Sequence, residues 1–248
     1  MFSTLAFPKQ NGDHVVSKVI TTAVSALFKK TGNIKVDVKT QSVAKMLQAS
    51  VDGLDFVGNG LLMYNGLRLE AMELYLQAIS IDFGAIFSGK VKLKKPTQAN
   101  MRIVLTEEDL TNSFNTPFIT EKLQRLQIQG ESLSFRNTEI VVNPDKSLQI
   151  KAQVTKVESG EVLNMDITTQ LEVKGRTNIQ FTNPQFAGDE ESIEISKAIL
   201  EHINDLLDLE KFKLDGTRLR VDRARVKDKK FIFYGTAEID QFPQTVPS

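Results

Sequence analysis

Cysteine and tryptophan are absent from the 248-residue chain, and histidine occurs twice. Without cysteine there can be no disulfide framework, thiolate metal site or thiol nucleophile, which fits a reducing compartment. His14 and His202 have no carboxylate spacing that converges on a metal, so both rings are expected on the solvated surface and no metal site is predicted. Neither sign of charge is in excess: 31 basic residues face 31 acidic ones. Nucleic-acid binding therefore has no global electrostatic support. No window approaches about 18 uninterrupted apolar residues, so no membrane-spanning helix is expected. The opening Met1–Pro8 stretch lacks a basic leader ahead of a long apolar core and does not read as an intact signal peptide. Nor is there a phosphate-loop motif or a G-x-S-x-G elbow, and Gly58-Asn59-Gly60 lacks the third glycine of a dinucleotide fingerprint. No catalytic residue and no cofactor is predicted.

The chain is rich instead in patterned apolar sequence. Between Asp13 and Gly32, Val15, Val16, Val19, Ile20, Ala23, Val24, Leu27 and Phe28 recur in pairs every four residues, an amphipathic helix. Asp13 suits its cap, Lys29 and Lys30 its last turn and Gly32 its end. The β-branched residues make that helix depend on burying its stripe. Beyond Gly32 most of the chain alternates like long strands, beginning with Ile34, Val36 and Val38. Gln41–Gln48 predicts one or two helical turns. In the next run Leu54, Phe56, Gly58, Gly60 and Leu62 share one face. Asn65-Gly66 signals a hairpin. The run from Leu67 to Ile81 has helix-forming composition, but its alternation after that turn favours a strand.

Asp82–Ser88 reads as a short amphipathic segment. Thr106 and Asp109 spell a capping box, and Thr116-Pro117 starts a second short helix. That position gives Glu107, Glu108 and Asp109 a structural job rather than a catalytic one. Glu131 to Phe186 reads as an antiparallel meander, with turns at Asn143–Lys146, Glu158–Gly160 and Lys174–Arg176. A longer helix is expected from Glu191 to Asp208. In the last hairpin the alternation slips near Asp222-Arg223, where a β-bulge would restore a common face.

Two basic segments stand out: Lys90, Lys92, Lys94 and Lys95, then Lys211–Lys230 with nine basic residues against three acidic. Alternating cations are typical of a solvated strand face, and the same pattern suits anionic headgroups. Few aromatics are interleaved, so nucleic acid is not the expected partner. A helix lying along a curled sheet leaves an apolar seam that could accept acyl chains. The residues expected to line it are Val16, Val19, Ile20, Val24, Leu27, Phe28, Phe56, Phe118 and Leu123. Headgroup or membrane contact is expected from Lys90, Lys92, Lys94, Arg218, Arg220, Arg223 and Arg225.

Ile34-Lys35-Val36, the hairpin from Gly58-Asn59-Gly60 to Leu67-Arg68-Leu69, the run Arg102–Leu110 and Pro117-Phe118-Ile119 are short stretches that together resemble the LmeA-like phospholipid-binding family of cyanobacteria and actinobacteria. Leu105-Thr106-Glu107-Glu108-Asp109-Leu110 is the most specific of them. The resemblance implies a peripheral lipid-binding protein with a tubular lipid-binding shape. The combined expectation is an α+β fold, an elongated, strongly twisted antiparallel sheet wrapped around long amphipathic helices. It forms one domain over residues 13–242, with loose termini at 1–12 and 243–248. Its function is expected to be non-catalytic handling of a phospholipid or other amphiphile at an anionic membrane surface, on the cytoplasmic side. The alternative is an assembly module binding a protein partner through its sheet edge or basic face.

Overall fold

The computed structural model describes residues 21–22, 24–25, 28–39, 50–80, 82, 92–124, 127–128, 130–210 and 216–240. Among these, long alternating segments pair into two antiparallel sheets. The first has the spatial order β1 (Asn33–Lys39), β2 (Ser50–Leu62), β3 (Arg68–Ser80), β4 (Thr97–Thr106), β11 (Lys230–Ile239) and β10 (Thr217–Lys227). The second runs β5 (Gln127–Ile128), β6 (Glu131–Val142), β7 (Leu148–Lys156), β8 (Val162–Lys174) and β9 (Asn178–Ala187). The middle of the chain thus makes one sheet, and both ends of the chain make the other, with β11 returning beside β4.

This overturns the expected sheet wrapped around long helices. The chain is mostly β, and the helices described over their whole length are α1 (Glu107–Phe114), α2 (Pro117–Leu123) and α3 (Glu190–Leu206). The physical reason is that strands of up to 13 residues carry one apolar face each, and two such faces can bury one another without a helical core. Helices fill in around them. α3 packs on β8 and β9 through Ile195, Ile199, Leu200 and Ile203, and α1 wedges between β3, β4 and β6. Of the expected amino-terminal helix, residues 21, 22, 24 and 25 are helical and the part before residue 21 lies outside the described residues. Lys29 and Lys30 are not in its last turn: the Lys29 amide and the Lys30 carbonyl and amide pair with Leu62, joining the sheet instead. Gln41–Gln48, and Asp82–Ser88 beyond Asp82, lie outside the described residues.

Local signals decide most of the rest. Gly66 takes φ +89° in the β2–β3 turn and its amide reaches the Met63 carbonyl at 3.0 Å, so the ambiguous run after it is a strand. Both bonds of the capping box form, Asp109 N–H to Thr106 Oγ1 at 3.0 Å and Thr106 N–H to Asp109 Oδ2 at 2.9 Å. Thr116 occupies the cap position of α2, but its hydroxyl turns back to the Ser113 carbonyl at 2.7 Å and leaves Pro117 to set the helix start. In β2 the expected face breaks at Gly60. Its φ of +59° hands the inward face from Gly58 to Leu61, which is 1% exposed, and Leu62 turns outward. The bulge in β10 is present between Val221 and Arg223.

Candidate functional site

Register turns the inward residues of the first sheet into continuous apolar rows. Phe56 lies opposite Leu74, Leu74 opposite Met101, Met101 opposite Gly235 and Gly235 opposite Val221, crossing from β2 to β10. A parallel row joins Leu54, Leu76, Ala99, Ala237 and Leu219. Facing these rows, the second sheet presents Ile140, Leu148, Leu171, Ile179 and Phe181.

The two surfaces do not close completely. Between them lies a cavity of about 380 Å³, flanked by Leu110 and Phe114 of α1 and by Leu207 and Leu209 after α3. Every lining residue is apolar except Thr217, the first residue of β10. Such a space offers nothing to a charged or hydrogen-bonding solute, whereas a hydrocarbon entering it gains about 0.8 kcal/mol per buried methylene. A phosphate carried inside would lose its hydration without a partner, so the polar part of any amphiphile must stay out.

Of the residues expected to line an acyl seam, Val24, Phe28 and Phe56 border this cavity, with the Phe28 and Phe56 rings stacked at 6.1 Å. Leu123 is buried and Phe118 half-buried, away from the cavity, Phe118 with the Lys122 ammonium 5.1 Å over its ring. α2 carries them both against α3 and β6, not over the first sheet. Val16, Val19, Ile20 and Leu27 lie outside the described residues. Sequence reasoning missed the wall contributed by Leu74, Met101, Leu219 and Phe233, because alternation gives each strand a face but not its neighbours.

The basic candidates divide. Thr97 pairs with Ile239 and Ile239 with Thr217, so Lys92, Lys94 and Lys95, just before β4, lie at the Thr217 end of the first sheet with Arg218 and Arg220. Arg223 and Arg225 lie farther along β10. Arg223 stacks 4.7 Å over the Tyr234 ring, and Arg218 is paired with Glu238 at 3.0 Å. Lys90 is outside the described residues. His202 is half-buried rather than solvated: its Nε2 lies 3.2 Å from the Lys122 carbonyl and links α3 to α2. His14 is outside the described residues. Among the described residues, no three His, Asp or Glu side chains come together as metal ligands would, and no helix is long and apolar enough to cross a membrane.

No curated protein and no solved structure matches the chain significantly. The sequence profile of the LmeA-like phospholipid-binding family matches residues 11–236, nearly its whole length. Profile and cavity converge on hydrophobic ligands, and the chain belongs to the LmeA-like phospholipid-binding family.

Proposed function

We propose that this protein is a non-catalytic phospholipid-handling protein that works peripherally at a membrane surface. The cavity takes acyl chains, and the headgroup remains outside at the Thr217 end. One observation carries the reading: an apolar space of about 380 Å³ between two sheets, walled by side chains with no polar group except the Thr217 hydroxyl. Cations gathered at that end, Lys92, Lys94, Lys95 and Arg218, suit an anionic surface, and their attraction weakens beyond about 10 Å at 0.1 M salt. Assembly through a sheet edge has less support. On β10 the outward residues are charged, and the Val221 amide is already taken by the Arg176 carbonyl at 2.6 Å.

Native mass spectrometry of gently purified protein tests the reading, together with co-sedimentation with vesicles of increasing anionic lipid content. Co-purifying lipid and salt-sensitive vesicle binding are expected. Repeated preparations free of lipid, with no vesicle binding at low salt, would rule it out.

A further inference from the structure

On the face of β10 turned away from the cavity, Arg218 and Arg220 line a pocket of about 400 Å³ with Gln98, Thr236, Glu238 and, from the second sheet, Arg176. The wall supplied by the second sheet is fixed in place. Gly175 and Arg176 adopt φ of +62° and +69° in the three-residue β8–β9 turn between Lys174 and Asn178. The Arg176 carbonyl accepts the Val221 amide, and its Nε sits 2.5 Å from Asp222, the extra residue of the bulge. Turn and bulge are thereby stapled together, and the staple closes one side of the pocket.

Three guanidinium groups and a single carboxylate line this space. Arg218 is paired with Glu238 at 3.0 Å and also lies 3.7 Å from Asp240, just outside the pocket, and Arg176 is held by Asp222, so Arg220 carries the unpaired charge. Arg220 stands opposite Thr236 in the register, a neutral hydroxyl, and no carboxylate among the described residues pairs with it. Some cations of this sheet have partners of opposite charge, Lys39 with Asp55, Arg102 with Glu73 and Lys230 with Glu70, whereas Arg223 and Arg225 on β10 share the unpaired state of Arg220 among the described residues but lie outside the pocket. The geometry points to a phosphate-binding site formed by Arg220, Arg218 and Arg176. A phosphate group, inorganic or carried as an ester, would supply the missing negative charge. The forked N–H groups of arginine match its oxygens two at a time, and the Thr236 hydroxyl and Gln98 amide add neutral donors. A lipid source for that phosphate rests on the proposed acyl cavity: Arg218 and Arg220 alternate along β10 with the cavity residues Thr217, Leu219 and Val221 and so lie on the opposite face, and a headgroup would reach them only around the Thr217 end of the strand. The phosphate chemistry itself does not.

The full chain and its Arg220→Gln variant are titrated calorimetrically with inorganic phosphate and with glycerol 3-phosphate. Both proteins are also co-sedimented with phosphatidylcholine vesicles, with and without phosphatidic acid. A neutral apolar dye, N-phenylnaphthylamine, reports on the cavity in the same samples. Losing the charged hydrogen bonds of Arg220 is expected to weaken phosphate binding about tenfold. Arg220→Lys keeps the charge without the fork and is expected to fall between the two, with dye binding unchanged throughout. Binding of the soluble phosphates identifies a free-phosphate site. Binding only to phosphatidic acid vesicles, lost in Arg220→Gln, identifies a lipid headgroup as the source. The assignment is overturned if no phosphate-bearing probe binds, if Arg220→Gln binds like the parent, or if Arg225→Gln, outside the pocket, loses as much. Loss of dye binding with phosphate binding intact overturns the cavity reading and leaves the phosphate site standing.

Discussion

A tryptophan placed at Leu74 separates an open cavity from a filled one. Leu74 is half-buried between Phe56 and Met101 and borders the cavity. An indole there can extend into free space, so the usual overpacking cost of about 1–3 kcal/mol should largely be avoided. For a chain of this size 1 kcal/mol moves Tm by roughly 2–4 °C, so Leu74→Trp is expected to lower Tm by less than about 2 °C. Ile150 is the contrast. It is 0% exposed, within the core of the second sheet, and Ile150→Trp should cost about 3 kcal/mol, roughly 6–12 °C. Because the natural chain has no tryptophan, all indole emission from Leu74→Trp belongs to that site. It should be blue-shifted and quenched by brominated acyl chains. Thermal melts and quenching are read on the same samples. A fall in Tm as large as that of Ile150→Trp, with emission indifferent to brominated lipid, would refute the existence of room beside Leu74.

Three further substitutions probe the frame that holds the cavity open. Thr106→Ala removes the capping hydroxyl of α1 and should cost about 1 kcal/mol, seen as a drop of roughly 2–4 °C in the melt. Gly235→Ala would place a methyl 1.9 Å from the Arg220 carbonyl oxygen, a backbone atom that cannot step aside, and is expected to cost about 3 kcal/mol or prevent folding, as chemical denaturation would show. Asp189 caps α3, and the Ser192 amide holds its carboxyl below the ordinary value of 3.8. Its stabilising effect is therefore complete above the unfolded value and lost as pH falls through the lower folded one. The Tm advantage of the natural protein over Asp189→Ala should shrink as pH is taken below about 4, and an advantage that grows with acid would contradict the assignment.

Features set by neighbours in sequence are the most legible. Asn65-Gly66, Asn143–Lys146, Glu158–Gly160 and Lys174–Arg176 all sit at hairpin turns, and the alternation of Leu148, Ile150, Ala152 and Val154 predicts four buried side chains. The capping box is written in four residues and forms as written. Failure begins where a residue's role depends on a partner far along the chain. The pattern from Val15 to Phe28 makes a helix look like the organising core because nothing local shows that two sheets can cover each other. Phe118 and Leu123 have the right periodicity for a lining helix, and only the packing of α2 takes them elsewhere. Alternation puts Gly60 on the apolar face because it assumes negative φ throughout, and one positive value reverses every side chain after it.

β10 shows the same division within a single strand. The slip at Asp222 is visible as an offset between Leu219–Val221 and Ala224–Val226, so the need for a bulge is legible in the sequence. Its cause and its use are not. Gly235, opposite Val221, is where the Arg220 carbonyl comes too close for any side chain, so the glycine on β11 is what permits the bend on β10. Asp222, pushed out of the ladder, is then free to hold Arg176 from the other sheet. One extra residue thus keeps hydrophobic groups on the cavity side, exposes a carboxylate at the edge and fixes a hairpin tip 46 residues earlier in the chain, by the difference between positions 222 and 176. The arginines it gathers are legible as a charged run. That they share one pocket with a residue of the β8–β9 turn is a property of the register alone.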